Sequence, residues 1–307
     1  MTRTIRILLQ TTTPAKPDDW SIDSLTLLRE HLAGLTEGGS RFEVVARNRQ
    51  VSPGTPDPQL SRLEESDFHE LWLFALDSGD GLTPADCQGI TRFRERGGGI
   101  LTARDHQDMG SSLCALGGLG LAHFFQTKNP EPDARRRVRD DLETPAISWP
   151  NYHSGRNGDF QRIKAVEPVH DLLINPAAPR GLIQYFPAHP HEGAVGVPAS
   201  ERSARVVATG TSLTTGRPFN LVVAFERQED RSGGTPGRAV AESSFHHFAD
   251  YNWDTSRGAP SFATEPEGTG MKTEPQALED IKRYARNLAF WLAPPTDRSV
   301  GDKRELE

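Results

Sequence analysis

GGGILTARDHQDMG, residues 97–110, combines a glycine turn, a short apolar run and a polar segment. The three glycines follow a charged run at residues 92–96, where they end a helix and redirect the chain, because glycine tolerates positive φ. The apolar run at residues 100–103 fits a strand that is covered on both faces. Polar and charged residues follow directly, and in open α/β sheets ligands bind outside the carboxyl ends of strands. This stretch therefore predicts an α/β sheet with a functional loop after the strand.

Apolar strands and helical segments alternate on both sides of that stretch. Parallel strands need crossovers of a dozen or more residues, so the alternation predicts βαβ units. We expect a flavodoxin-like, doubly wound α/β fold with a mostly parallel sheet, a long insertion and a late β-hairpin. The predicted strands cover residues 4–10, 42–46, 70–76, 100–103, 181–187, 205–209, 218–225 and 238–245, and the predicted helices cover 25–35, 84–96, 111–116 and 274–292.

The alternation shows no clear break that would divide the chain. We therefore expect one α/β domain over residues 1–294, followed by a charged tail at 295–307. Residues 127–160 are polar, charged and proline-containing, which predicts a long excursion over the carboxyl edge of the sheet. Long loops in that position are commonly functional.

The composition excludes several classes of protein. The chain has 307 residues and a net charge of −7, which argues against binding to nucleic acid through phosphate contacts. The sequence has no apolar run that approaches the ~20 residues of a membrane span. Two cysteines, Cys87 and Cys114, make no disulfide framework and fit a reducing compartment. We expect a cytoplasmic protein that binds a small molecule. The sequence leaves open whether the protein forms a homo-oligomer.

Three groups of histidine and acidic residues each follow a predicted strand. They are Asp105-His106 with Asp108, His189 with His191-Glu192, and His246-His247 with Asp250. Because the carboxyl ends of parallel strands meet at one edge of a sheet, we expect the three groups to share a cleft. Imidazole and carboxylate suit a divalent metal such as Zn, Mn, Fe or Ni. They equally suit acid–base catalysis, in which a carboxylate orients an imidazole that titrates near neutrality.

The candidate residues follow from these two chemistries. The predicted catalytic residues are Asp105, His106, Asp108, Glu192, His246 and His247, and the predicted metal ligands are His106, His189, His191 and His247. Structural roles compete with both, since an Asp in the first group can cap a helix and one of the two adjacent late histidines can be a hydrogen-bonded core residue. The sequence lacks a Gly-x-Ser-x-Gly elbow, a Walker loop and a Gly-x-Gly-x-x-Gly after the first strand, which weighs against a serine hydrolase, a nucleoside triphosphatase and a dinucleotide dehydrogenase.

The order of these parts resembles the class I glutamine amidotransferase-like superfamily, in particular its ThuA-like group. The similarity covers the third strand, the helix that ends before Gly97-Gly98-Gly99, the next strand and its elbow, and the late strand followed by histidine. Glutaminases of this superfamily carry a cysteine at the elbow, whereas this chain has Arg104, Asp105 and His106. ThuA-like proteins lack the cysteine and carry a histidine near the elbow and another after a late strand, the places that His106 and His246 or His247 would fill.

The chain also resembles an uncharacterised bacterial subgroup with Asp-His, His-Pro-His-Glu-Gly and His-His motifs. The resemblance implies a small polar, sugar-like substrate and no glutaminase activity. We therefore expect a hydrolase, isomerase or lyase with a His/Asp/Glu site, with or without a divalent metal. The alternative is a non-catalytic ligand-sensing or partner-docking module on a degenerate amidotransferase fold.

Overall fold

The computed structural model describes residues 2–16, 21–137, 139–140, 151–229, 233–260, 263 and 265–295. The described strands are β1 (Arg3–Thr11), β2 (Thr36–Glu37), β3 (Ser40–Arg47), β4 (Glu70–Phe74), β5 (Gly99–Ala103), β6 (His123–Phe124), β7 (Asn151–Tyr152), β8 (Phe160–Arg162), β9 (Lys164–Ala165), β10 (Tyr185–Pro187), β11 (Glu192–Val195), β12 (Ala204–Thr211), β13 (Pro218–Phe225) and β14 (Ala239–Glu242). The described α-helices are α1 (Thr26–Ala33), α2 (Pro84–Glu95), α3 (Asp250–Trp253), α4 (Gly270–Thr273) and α5 (Pro275–Leu292).

Nine of the described strands form one sheet in the order β2-β3-β1-β4-β5-β14-β13-β12-β9. All neighbours from β3 to β14 are parallel. Numbered along the chain, these five parallel strands have the order 2-1-3-4-5 of flavodoxin-like folds. The predicted fold class is therefore confirmed, and so is the late hairpin, which β12 and β13 form as an antiparallel pair.

Helices cover both faces of the parallel strands. Trp72 and Phe74 of β4 point to one face, where they pack in the same core as residues of α1 and α5. Leu71 and Leu73 point to the other face and pack with residues of α2. Successive side chains of a strand alternate between faces, so a strand that is apolar throughout requires cover on both sides. This explains the nearly continuous apolar composition of β4.

Two positions of the turn before β5 require glycine, each for a different physical reason. Gly97 has φ of +99°, a conformation that L side chains rarely adopt. A Cβ on Gly99 would lie 2.3 Å from the carbonyl oxygen of Leu292, at the end of α5. The turn thus lets β5 enter the sheet directly against the last helix.

The long insertion lies between β5 and β14. Its strands form two small sheets, β10-β8 and β6-β11-β7, in addition to the antiparallel part of the main sheet. The strand predicted at 181–187 was wrong in extent, since only β10 is regular and it pairs with β8. Residues 182–183 bond instead to the segment next to the 3-10 turn Asp171–Leu173. Of the predicted excursion at 127–160, residues 138 and 141–150 lie outside the described part, as do 296–307 of the predicted tail.

Two predicted helices are also corrected. Residues 111–116 form the 3-10 helix Ser111–Leu116, which lies between two glycines with positive φ, Gly110 and Gly117. The first predicted helix starts with a 3-10 turn, Ile22–Leu25, and becomes α-helical only at Thr26. Within the described residues, the helices are all too short or too polar to cross a membrane.

Candidate functional site

Two neighbouring parallel strands deliver the first and third histidine groups. Asp105 and His106 follow β5, whereas His246 and His247 lie in the 3-10 turn Phe245–Phe248 shortly after β14. The two loops lie side by side because β5 and β14 pair, and the Phe245 amide donates to the Arg104 carbonyl at 2.8 Å. The strand predicted at 238–245 was wrong in extent, since β14 ends at Glu242.

The second group reaches the same place from another direction. His189 and His191 lie in the turn between β10 and β11, both of which belong to the small antiparallel sheets of the insertion. The expectation that they follow a parallel strand is therefore corrected. A turn allows the two rings to approach the elbow from the side of the insertion.

Three histidines, His106, His189 and His246, contact Asp105, and a fourth, His191, lies beside two of them. We call these five residues the histidine cluster. Asp105 Oδ1 lies 2.8 Å from His106 Nδ1, 3.4 Å from His246 Nε2 and 3.6 Å from His189 Nε2. The rings of His189 and His246 stack with centroids 3.6 Å apart. The His191 ring lies 5.2 Å from that of His106 and 6.0 Å from that of His189. Asp105, His189 and His246 are buried, whereas the side chain of His106 is 23% exposed and faces the accessible side.

The outer ring nitrogens of the stacked pair have fixed partners. His189 Nδ1 bonds to Asn157 Oδ1 at 3.1 Å, and His246 Nδ1 bonds to the Tyr251 hydroxyl. An amide oxygen only accepts, so His189 carries its proton on Nδ1 and leaves a lone pair on Nε2. That Nε2 is buried and makes no hydrogen bond within the described part of the chain. A ring nitrogen lone pair and a carboxylate oxygen thus face each other in a buried space, an arrangement that a cation stabilises.

Electrostatics favour the charged form of Asp105 and the neutral form of His189. Burial alone would raise the pKa of the Asp105 carboxyl, but the adjacent His106 and His246 imidazoles hold that pKa well below its usual range. Burial and the neighbouring His246 hold the pKa of His189 well below its usual range. Asp105 is therefore an anion and His189 a neutral imidazole, the forms in which both bind metals.

One donor atom from each of Asp105, His189 and His246 lies within 4.8 Å of the others. Two imidazole nitrogens and one carboxylate oxygen are a common ligand set of catalytic metal sites, which keep further positions open for water or substrate. Asn157 and Tyr251 contact the outer ring nitrogens of these two histidines, and contacts of this kind orient metal-binding histidines. This part of the site can hold a divalent ion.

His247, adjacent to His246 in sequence, belongs to a separate buried network. Its Nε2 lies 3.0 Å from Glu192 Oε1 and its Nδ1 lies 3.3 Å from Glu242 Oε2. Burial alone would lower the pKa of His247, but the two glutamates raise it to about 10. His247 lowers the pKa of Glu192, whereas burial raises the pKa of Glu242, so the ion pair is His247 with Glu192. Both ring nitrogens of His247 are engaged, so it does not present a ligand atom to the histidine cluster.

Ser154 connects the two parts of the site. Its hydroxyl lies 2.8 Å from the amide nitrogen of His189 and 3.1 Å from Glu192 Oε1. Glu192 also accepts bonds from Ser243 at 2.8 Å and Gln161 at 2.6 Å. Glu192 therefore supports the turn that carries His189 and does not reach into the cluster itself.

Two predicted acidic residues serve other purposes. Asp108 accepts bonds from the amide and hydroxyl of Thr127 at 2.9 and 2.7 Å, so the structure does not bring it into the cluster. Asp250 accepts from the Leu27 amide at 2.8 Å and from the Thr26 hydroxyl. It caps the amino end of α1, where a carboxylate is favourable.

Sequence reasoning missed the residues that hold the site in shape. Asn157 and Ser154 come from the insertion, where no periodic pattern marks them, whereas Tyr251 has a weak signal in its position five residues after His246. For Arg104, the sequence indicates only that it is one of three elbow residues, none of which is cysteine. It is fully buried, donates to the Phe124 carbonyl at 2.7 Å and to the Gln107 carbonyl, and so fixes the elbow loop.

No protein-family model matches the chain, and the comparison with curated proteins finds no match. Among solved structures, the chain is similar to a protein described as ThuA-like from Parabacteroides merdae ATCC 43184. The two are 16% identical with a TM-score of 0.47, over 96% of this chain and 93% of the other.

Proposed function

We propose that this chain is an enzyme that uses a divalent metal ion for acid–base chemistry on a small polar substrate. Asp105, His189 and His246 would bind the ion, and the reaction would be a hydrolysis, an isomerisation or a lyase reaction. The observation that carries the proposal is the buried His189 Nε2, which lies 3.6 Å from the Asp105 carboxylate and makes no hydrogen bond with any described residue. A divalent ion at this point would act as a Lewis acid towards a carbonyl or hydroxyl group, or lower the pKa of a bound water.

His106 and His191 are the candidates for proton transfer. Both are less buried than the proposed ligands, and their rings lie 5.2 Å apart on the accessible side. His106 Nδ1 is held by Asp105, which orients the ring and leaves Nε2 directed away from the carboxylate. An imidazole oriented in this way is suited to transfer a proton as a general base or acid.

The two thiols argue against the glutaminase chemistry of better-known amidotransferases. Burial raises the pKa of Cys87 to about 12, and burial also raises the pKa of Cys114. A cysteine nucleophile needs the opposite shift, because the thiolate is the reactive form. The proposal therefore places the chemistry on the histidine cluster.

Metal analysis of the purified chain tests the proposal. After dialysis against chelator, the protein is titrated with Zn²⁺, Mn²⁺, Fe²⁺ and Ni²⁺, and bound metal is measured by elemental analysis. We expect one tightly bound ion per chain in the unaltered protein and loss of that binding in His189→Ala and in His246→Ala. His69→Gln, which alters a histidine at the start of β4, should bind as the unaltered protein does.

Equal metal binding in all of these proteins, or none in the unaltered chain, would remove the metal centre. A chain that binds its metal but shows no turnover across panels of small esters, lactones, keto-sugars and hydroxy acids would favour the ligand-sensing alternative. Turnover that His106→Gln lowers at unchanged metal content would support proton transfer by that residue.

A further inference from the structure

A cavity of about 600 Å³ lies within the insertion, beside the histidine cluster. Its walls come from β8, β9, the end of β12 and the loops before β8 and β10. The residues that carry the argument are Ser154, Gln161, Arg162, Lys164, Arg180 and Thr211. A volume of this size is typical of sites for small molecules.

The cavity is lined by three cations that lack anionic partners. Arg162, Lys164 and Arg180 are exposed at its wall, and none forms an ion pair with any described residue. Asp159 is the single acid among the lining residues, and its Oδ1 already accepts a bond from the Gly270 amide at 2.9 Å. This concentration of positive charge stands out in a chain with a net charge of −7.

Two features prepare the cations for a ligand. The Arg162 guanidinium lies over the ring of Tyr185, 5.0 Å from its centroid, which restricts its orientation at little cost. Arginine presents parallel N–H donors that match carboxylate and phosphate oxygens, and lysine adds a point charge. Neutral hydrogen-bonding groups, including Thr211 and Gln184, line the same cavity and suit the hydroxyls of a polar molecule.

The cavity shares a wall with the candidate active site. Gln161 lines the cavity and is only 5% exposed. Its amide nitrogen donates to Glu192 at 2.6 Å, while its Oε1 is buried and makes no hydrogen bond with a described residue. Ser154 lines the cavity and bonds to the amide of His189 at 2.8 Å. A ligand here would therefore contact the residues that position His189.

We propose that this cavity is a binding site for a small molecule with a phosphate or carboxylate group, separate from the metal centre. Arg162, Lys164 and Arg180 bind the anionic group, and the polar wall binds the rest of the molecule. This site does not require the proposed reaction, because its cations belong to the insertion and not to the histidine cluster.

Calorimetric titration with inorganic phosphate and with citrate tests the site and separates the two anion classes. The full chain is titrated at low ionic strength after treatment with chelator, so that a metal cannot hold the anion. We expect saturable binding of at least one of the two probes. Arg162→Gln/Arg180→Gln should weaken it about tenfold or more, since charge-assisted bidentate contacts are lost.

The matched control is Arg202→Gln/Arg283→Gln, which removes the same charge from arginines outside the cavity and should bind as the unaltered chain does. Lys164→Gln gives a second, single-site measure and should weaken binding more modestly. Equal weakening in the control pair would show a general charge effect and overturn the site. Absence of saturable binding for both probes, or binding that appears only with metal and is lost in His246→Ala, would overturn it as well.

Discussion

Tyr251 orients the ring of His246, one of three residues that could hold a metal ion. Its hydroxyl bonds to the ring Nδ1 of His246, which leaves Nε2 directed at Asp105. Tyr251→Phe keeps the aromatic ring and removes the hydroxyl that bonds to His246, so we expect metal affinity to fall by about 10–100-fold with the fold retained. A competition titration against a chromogenic chelator measures the change. Tyr185→Phe, at a buried tyrosine of β10, is the matched control, and equal affinities in the two variants would contradict the orienting role.

His247 makes the stability of the protein depend on pH in the alkaline range. Its pKa is raised to about 10 in the folded chain, against about 6.5 when unfolded. Between these values the folded state binds more protons than the unfolded state, so stability falls as pH rises. This contribution to stability is fully present below about pH 6.5. Between that pH and pH 10, we expect the free energy of unfolding to fall by at most about 1.4 kcal/mol per pH unit.

Urea unfolding at several pH values from 6.5 to 10 measures this slope. The imidazole signals of His247 in NMR report its titration directly. In Glu192→Gln the ring loses its ion-pair partner, so the slope should become smaller. A free energy of unfolding that stays constant from pH 7 to 9.5 would contradict a charged His247.

At the scale of elements, the close approach of β11 to the elbow depends on Gly193. A Cβ there would lie 2.7 Å from the Ser243 carbonyl oxygen, 2.8 Å from Arg104 Nη1 and 2.9 Å from the Asp105 carbonyl oxygen. Gly193→Ala must therefore push β11 away from both loops, and we expect it to lower the free energy of unfolding by about 1–3 kcal/mol. Chemical denaturation measures the loss, and metal affinity should fall with it.

Gly34→Ala is the control for this substitution. Gly34 ends α1 with φ of −79°, and a Cβ there would lie 3.4 Å from the nearest atom. We expect a change within about 0.5 kcal/mol. If both substitutions had the same small effect, β11 would not depend on close contact at Gly193.

The elements of the parallel sheet could be predicted because their signals are local. Ile100 and its neighbours form an apolar run after a glycine turn, and that pattern alone places Asp105 at the end of a strand. The pairing of β5 with β14 then brings His246 to the same edge. By contrast, the turn at His189 lies in the insertion, where short antiparallel pairs leave no periodicity to interpret. The expectation that His189 shares a cleft with Asp105 rested on a parallel strand at 181–187, whereas a turn beside short antiparallel strands makes the contact.

The sequence also does not predict that the two adjacent histidines have different roles. His246 and His247 look alike as a pair, but a 3-10 turn directs one ring to Asp105 and the other to Glu192. Alternation along a strand would also have separated them, without showing which one joins the cluster. The choice depends on buried partners that lie far apart in the chain.

At the scale of the whole molecule, the residues of the candidate site come from two regions. The parallel strands supply the rigid edge that carries Asp105 and His246. The insertion supplies His189, the bonds that hold it and the cationic cavity. The insertion also contributes to the hydrophobic core, where Phe124, Ile183 and Phe186 are buried together with residues of the parallel strands.

The place of β14 in the sheet has a consequence for how the chain folds during synthesis. Residues 104–238 separate β5 from the strand that pairs with it. At typical synthesis rates the ribosome needs roughly ten seconds to make them, and during this time one edge of β5 has open backbone donors and acceptors. Exposed strand edges pair readily with other chains. The nascent protein therefore passes through an interval in which aggregation competes with folding, and the site forms only after that interval ends.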